Sequence, residues 1–200
     1  DLEADDDGRV MWEGPILDRR DPSSGDEVEA ILIGVGERRF VSDRDDIALK
    51  VQSGMTYCDL FDQFTATASA RGLQINSETI RAQGLFGAGD YNEALAILND
   101  MIRLSQEGLD MARTDLPFFY LTPQIRSILE SGISAYVQAD QQYKSAVSLY
   151  GAAAAAYESG DPVTGANRES EALAEMGMSE SNGGLYFGAI TAARTPICSL

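Results

Sequence analysis

Histidine is absent from the 200 residues. Its absence removes the commonest general base, the commonest metal ligand and every Ser-His or Cys-His nucleophile pair. Cysteine occurs twice, at Cys58 and Cys198, too few for a zinc site without other strong ligands beside them. Two readings of the pair stay open. One is a single disulfide tying the first long helix to the C-terminus, which suits an oxidising compartment; the other is two unpaired thiols with Cys58 in the core. Lysine is nearly absent, with Lys50 and Lys144 standing against thirteen arginines, a bias of coding or habitat rather than of mechanism.

Positive charge is outweighed throughout. The net charge is −17 and the sequence pI about 4.2, so the chain lacks the basic footprint that nucleic acid or an anionic lipid surface requires. No run approaches the ~18 apolar residues that span a bilayer, which leaves peripheral contact as the only membrane role expected. Phosphate-cradling loops, Gly-x-Ser-x-Gly elbows, His-Glu-x-x-His and Cys-x-x-Cys are all missing. Asp5, Asp7 and Gly8 hint at a calcium loop, but Gly14 stands where its bidentate glutamate belongs, and the acidic run reads as a solvated tail. The expectation is a protein that is not an enzyme and needs no cofactor or metal. The sequence opens at Asp1 without methionine or hydrophobic leader. This suggests an exported protein (periplasm, organelle lumen, extracellular space or virion) from which a leader has been removed.

What the chain does have is helical periodicity. From Leu121 to Glu158, Tyr136, Tyr143, Tyr150 and Tyr157 recur every seven residues, interleaved with Gly132, Ala139, Ala146 and Ala153. Spacings of four and three place both rows on one stripe of a long helix, a large row beside a small one. Such a stripe is a packing seam for a close antiparallel neighbour. A second long helix is expected from Tyr91 to Arg113, apolar on two sides and therefore set between neighbours. The Pro117 corner makes it the natural antiparallel partner of the tyrosine-striped helix.

The fold class that follows is mainly α: an antiparallel bundle of three to four long helices with a small N-terminal β meander and extended termini. Residues 1–44 read as an acidic tail plus the meander, 45–160 as the bundle core, and 161–200 as a short helix and an extended segment packed on it. Within the core, Asp45 to Arg71 is expected as one helix closed by Gly72. A short helix then begins at Asn76 or Ser77, and a turn falls near Gly87 to Asp90. After the break at Ser159 to Pro162, a short helix is expected to about Met178. Ser179 to Gly184 follows as a flexible loop, Leu185 to Arg194 is ambiguous between helix and strand, and Thr195 to Leu200 is an extended tail.

Gly89-Asp90-Tyr91-Asn92-Glu93-Ala94-Leu95 resembles the start of the second helix of a tetratricopeptide repeat, and Tyr143, Ala146, Tyr150 and Ala153 hold that family's large and small positions. The resemblance covers about thirty residues and implies a helical module binding a peptide or protein in a concave groove. It departs from the family in two respects. Ala94 and Ala146 are 52 positions apart against a period of 34, and no Trp-Leu-Gly element precedes Gly89.

Function is therefore expected in contacts rather than in chemistry. The leading expectation is a structural or accessory subunit that docks onto other protein subunits of a larger assembly, with Trp12, Arg19, Arg20, Arg38 and Arg39 as candidate interface residues. The tetratricopeptide-like module is the alternative. A carboxylate-based hydrolase or small-molecule binder is the third, and it requires a concave pocket.

Overall fold

The computed structural model describes residues 56–200. The expected meander, the segment 1–44, and with them Trp12, Arg19, Arg20, Arg38 and Arg39 lie outside the described residues. Among those that are described the fold is all-helical: α1 (Tyr57–Ala88), α2 (Tyr91–Asp115), α3 (Pro123–Glu158) and α4 (Pro162–Cys198), with a 3-10 turn at Leu116–Phe119.

Helices α1, α3 and α4 each start where a side chain satisfies a free amide of the first turn. Thr56 is extended and its hydroxyl accepts from the Asp59 amide, while the Asp59 carboxylate accepts from the Thr56 amide at 2.8 Å. This reciprocal cap sets the start of α1 at Tyr57 rather than within an unbroken helix from Asp45. Thr122 caps α3 through the Ile125 amide, and Asp161 caps α4 through the Thr164 amide; proline follows both caps.

Helix α1 also corrects the expected stop at Gly72, because it continues unbroken to Ala88. An interior glycine costs about 1 kcal/mol of helix propensity, which tertiary packing can outweigh. Here the Phe187 ring of α4 lies over Gly72, so close that an added Cβ would stand 2.8 Å from it. Seven residues on, Thr79 is buried and shares a 2.6 Å hydrogen bond with the Tyr143 hydroxyl of α3. Asn76 and Ser77 are thus exposed mid-helix residues, not caps. The chain reverses at Gly89, whose φ of 92° is the left-handed conformation that only glycine adopts without cost.

The largest correction concerns residues 161–200. They form one 37-residue helix that runs through the expected loop at Ser179 to Gly184, through the ambiguous Leu185 to Arg194, and through the expected extended tail, with Pro196 in its last turn. The reason is a second heptad. Gly165, Ala172, Ser179, Tyr186 and Ala193 recur every seven residues and are all buried, joined by Met176, Ile190 and Ile197. Glycine and serine at 179–184 have the composition of a loop, but the burial of the flanking turns keeps that stretch helical.

Helix α4, not α2, is the closest companion of α3. The small row of α3 faces it. A Cβ on Gly132 would stand 2.8 Å from that of Ala189, and the Ala139 carbonyl accepts from the Ser179 hydroxyl at 2.8 Å. The tyrosine row turns mostly the other way. Tyr136 donates to the Ser105 carbonyl of α2, Tyr143 pairs with Thr79 of α1, and Tyr150 packs edge-on against Phe86 of α1. One helix therefore serves two interfaces, a tight one through its small residues and a wider one through its rings. The core divides into two clusters. One gathers Phe61, Phe64, Leu116, Phe119, Leu129 and Ile197; the other gathers Phe86, Leu98, Met101, Val147 and Tyr150.

Candidate functional site

Cys58 and Cys198 are bonded to each other, with Cα atoms 4.6 Å apart, so the first turn of α1 is joined to the last turn of α4. Beside the bond, the Arg194 guanidinium donates two hydrogen bonds to the Asp62 carboxylate, at 2.7 and 2.8 Å, and holds that acid below the usual carboxylate range. Cys58, Asp62 and Cys198 bring potential ligand atoms within 4.8 Å of one another. With both sulfurs in a disulfide, no thiolate is available there to bind a metal.

α1 and α4 are thus clamped at one end. Farther along, between Thr65 and Gln83 of α1 and Met176 and Thr191 of α4, they leave a cleft of about 760 Å³. Its floor is made by Ser105, Gly108 and Met111 of α2 and by Tyr136, Ala139 and Tyr143 of α3. Its rim on α1 carries Leu73 and Ile80, 71% and 60% exposed. The cleft exists because the small row of α3 draws α4 toward α3, while α1 is held off by the larger residues of α2 and α3. Its volume falls within the range of small-molecule sites, which are mostly apolar with a few polar groups.

Four groups in these walls bear on what the cleft can hold: Arg71, Tyr136, Glu180 and Tyr186. Among the described residues Arg71 makes no ion pair, and its one hydrogen bond goes to the thioether sulfur of Met111 at 3.7 Å. A thioether is a weak acceptor, so the guanidinium retains nearly all of its donor capacity. Tyr186 is 2% exposed, and among the described residues its hydroxyl has no hydrogen-bond partner. Its ring lies 4.6 Å from that of Tyr136, whose own hydroxyl is engaged by Ser105. Burial pushes the Tyr186 hydroxyl far up and that of Tyr136 up to about 12, with the Arg71 charge opposing the rise in both. Both phenols are therefore neutral hydrogen-bond donors at pH 7. Glu180, exposed, is the one carboxylate among the lining residues.

The seam residues occupy two of these settings. Tyr136, Tyr143 and Ala139 line the floor of the cleft. Tyr150, Tyr157, Ala146 and Ala153 lie beyond it, where Tyr157 stacks on Tyr91 and donates to Glu169. Arg71, Tyr186 and Phe187 were not singled out in the sequence. Arg71 falls where a helix end was expected, and the other two fall in the ambiguous segment. The signal that could have revealed them is the seven-residue series from Gly165 to Ala193, which continues through the expected loop and includes Tyr186.

No family model, curated protein or solved structure matches the chain. Among the described residues, no helix is long and apolar enough to cross a membrane.

Proposed function

We propose that the protein is a non-enzymatic binding protein: a disulfide-clamped helical scaffold that receives a largely apolar guest in the cleft between α1 and α4. The observation that supports this reading is the cleft itself, mostly apolar in its lining surface and open at a rim of exposed Leu73 and Ile80. A hydrolase of the two-carboxylate kind is less well served, because among the described residues Glu180 has no second acid beside it in the cleft lining. A repeat-type peptide groove would display its tyrosines to solvent, whereas Tyr143 and Tyr150 are 5% and 1% exposed.

The test uses Gly183, which lines the cleft and where an added Cβ would meet nothing within 4 Å. Gly183→Trp should fill the cleft with the fold intact. Nile red, a neutral apolar dye, should bind the native protein with a blue-shifted emission and should lose that signal in the variant. Equal dye binding by both proteins would sink the reading.

A second reading, docking onto the protein subunits of a larger assembly, draws on the outer face of α4. Val163, Met178 and Leu185 are exposed there on one helical stripe, with uncharged Ala174, Ser181 and Ala192 among them. In a chain of net charge −17 an uncharged exposed stripe is a suitable contact surface. Native mass spectrometry of material from the source should show a companion chain that is absent when Leu185 is replaced by Lys. Retention of the companion would count against this face. The exported setting is proposed on the same footing, since a disulfide joining Cys58 to Cys198 persists best in an oxidising compartment.

A further inference from the structure

The chemistry of the guest can be read from two polar groups at the cleft, Arg71 and Tyr186, an inference that rests on the cleft being the binding site. A guanidinium that lines a mostly apolar cavity and, among the described residues, has only a thioether to bond is an unusual arrangement, because buried or half-buried charge is ordinarily paired. Tyr186 repeats the pattern in neutral form, a buried hydroxyl with its donor unused. Both lie in walls whose surface is mostly apolar, with Ala68, Ile75, Met176 and Ile190 beside neutral polar residues such as Ser69 and Thr191. We infer that the cleft takes an amphiphile with a single carboxylate head, held by the Arg71 guanidinium and the Tyr186 hydroxyl, and an aliphatic tail laid between α1 and α4.

Three features select a carboxylate over other heads. The planar guanidinium donates in parallel to two oxygens, which matches a carboxylate fork. The neutral Tyr186 hydroxyl supplies a further donor, and carboxylate oxygens have lone pairs to spare for it. A more highly charged head such as a phosphate dianion would meet one cation only, with Glu180 in the cleft wall and a chain of net charge −17 around it. Shape selects the tail. The α1 wall runs from Thr65 to Gln83, about 27 Å at the helical rise per residue, so the cavity is elongated and accommodates a chain better than a compact ring system.

The experiment titrates the full, disulfide-intact chain by calorimetry with dodecanoate and, separately, with 1-dodecanol, both below the concentrations at which they aggregate. The native protein should bind one dodecanoate per chain, at least about tenfold tighter than dodecanol, as expected for a charge-assisted hydrogen bond. Arg71→Gln should weaken dodecanoate by at least about tenfold and so remove that preference. Tyr186→Phe should weaken dodecanoate by about three- to tenfold. Because it deletes only an unpaired hydroxyl, it should fold like the native chain and carries the test should Arg71→Gln not fold. Equal affinity for the two probes, or dodecanoate binding untouched by both variants, overturns the carboxylate assignment. If dodecanol then still binds and Gly183→Trp abolishes it, the apolar cleft stands without its head-group site. No binding of either probe, or binding indifferent to Gly183→Trp, overturns both readings.

Discussion

Gly132 of α3 and Ala189 of α4 meet so closely that a Cβ on the glycine would stand 2.8 Å from the Cβ of the alanine. The obstructing atom is fixed to a backbone and cannot swing aside, so a larger residue must push the helices apart. Gly132→Ala should destabilise the chain by about 1–3 kcal/mol in urea unfolding. Ala146→Leu, at a fully buried position of the same row, should cost about the same. A neutral result at Ala146 would mean that the row is not close-packed.

Cys58 and Cys198 are 140 positions apart, so their bond closes nearly the whole described chain into one loop. Loop-closure entropy assigns such a constraint roughly 4–5 kcal/mol, acting on the unfolded chain. Reduction, or the double variant Cys58→Ala with Cys198→Ala, should lower the urea midpoint markedly at little cost in far-UV helicity. A midpoint indifferent to reductant would show that the constraint is not acting. Loss of all dodecanoate binding on reduction would further show that the clamp shapes the cleft.

Tyr143 is pushed up to about 12, first by burial and against the Thr79 hydrogen bond, and Tyr136 likewise by burial. In the unfolded chain both titrate near 10, so between about pH 10 and 12 the unfolded state holds fewer protons than the folded one. The stabilisation is therefore complete below about pH 10 and is lost as pH rises through 12. Urea midpoints should fall from pH 9 to pH 11, and more shallowly in Tyr143→Phe. Phenolate absorbance at alkaline pH should show these two hydroxyls titrating late. An equal pH slope in native protein and Tyr143→Phe would count against the buried hydroxyl.

Asp140 is 4% exposed and accepts from Ser105 of α2 at 3.0 Å and from the Lys144 ammonium at 2.6 Å. Removing the cation alone strands a buried charge, so Lys144→Met should cost about 1–3 kcal/mol. Adding Asp140→Asn should recover part of that loss, because the side chain left unpaired is then neutral. A double-mutant cycle with no coupling would mean that the pair contributes nothing beyond its separate parts.

The sequence by itself determined the helices whose signals are local. α2 and α3 begin and end within two residues of their expected bounds, because Gly89, the Pro117 corner, Thr122 before Pro123 and the break at Ser159 to Pro162 each act within a single turn. The heptad of tyrosine and small residues also set which side of α3 would pack. Tertiary structure alone decided the rest. Gly72 continues a helix because Phe187, more than a hundred positions away, closes over it, and Ser179 to Gly184 stays helical because Ser179 is buried against the Ala139 carbonyl. Propensity differences of about 1 kcal/mol per residue give way to such contacts, and no window of the sequence contains them. The choice of α4 over α2 for the small row, and with it the cleft that gathers Arg71 and Tyr186, is of the same kind. It depends on which of two neighbours can approach a row of glycine and alanine more closely, and that is settled only when all four helices pack together.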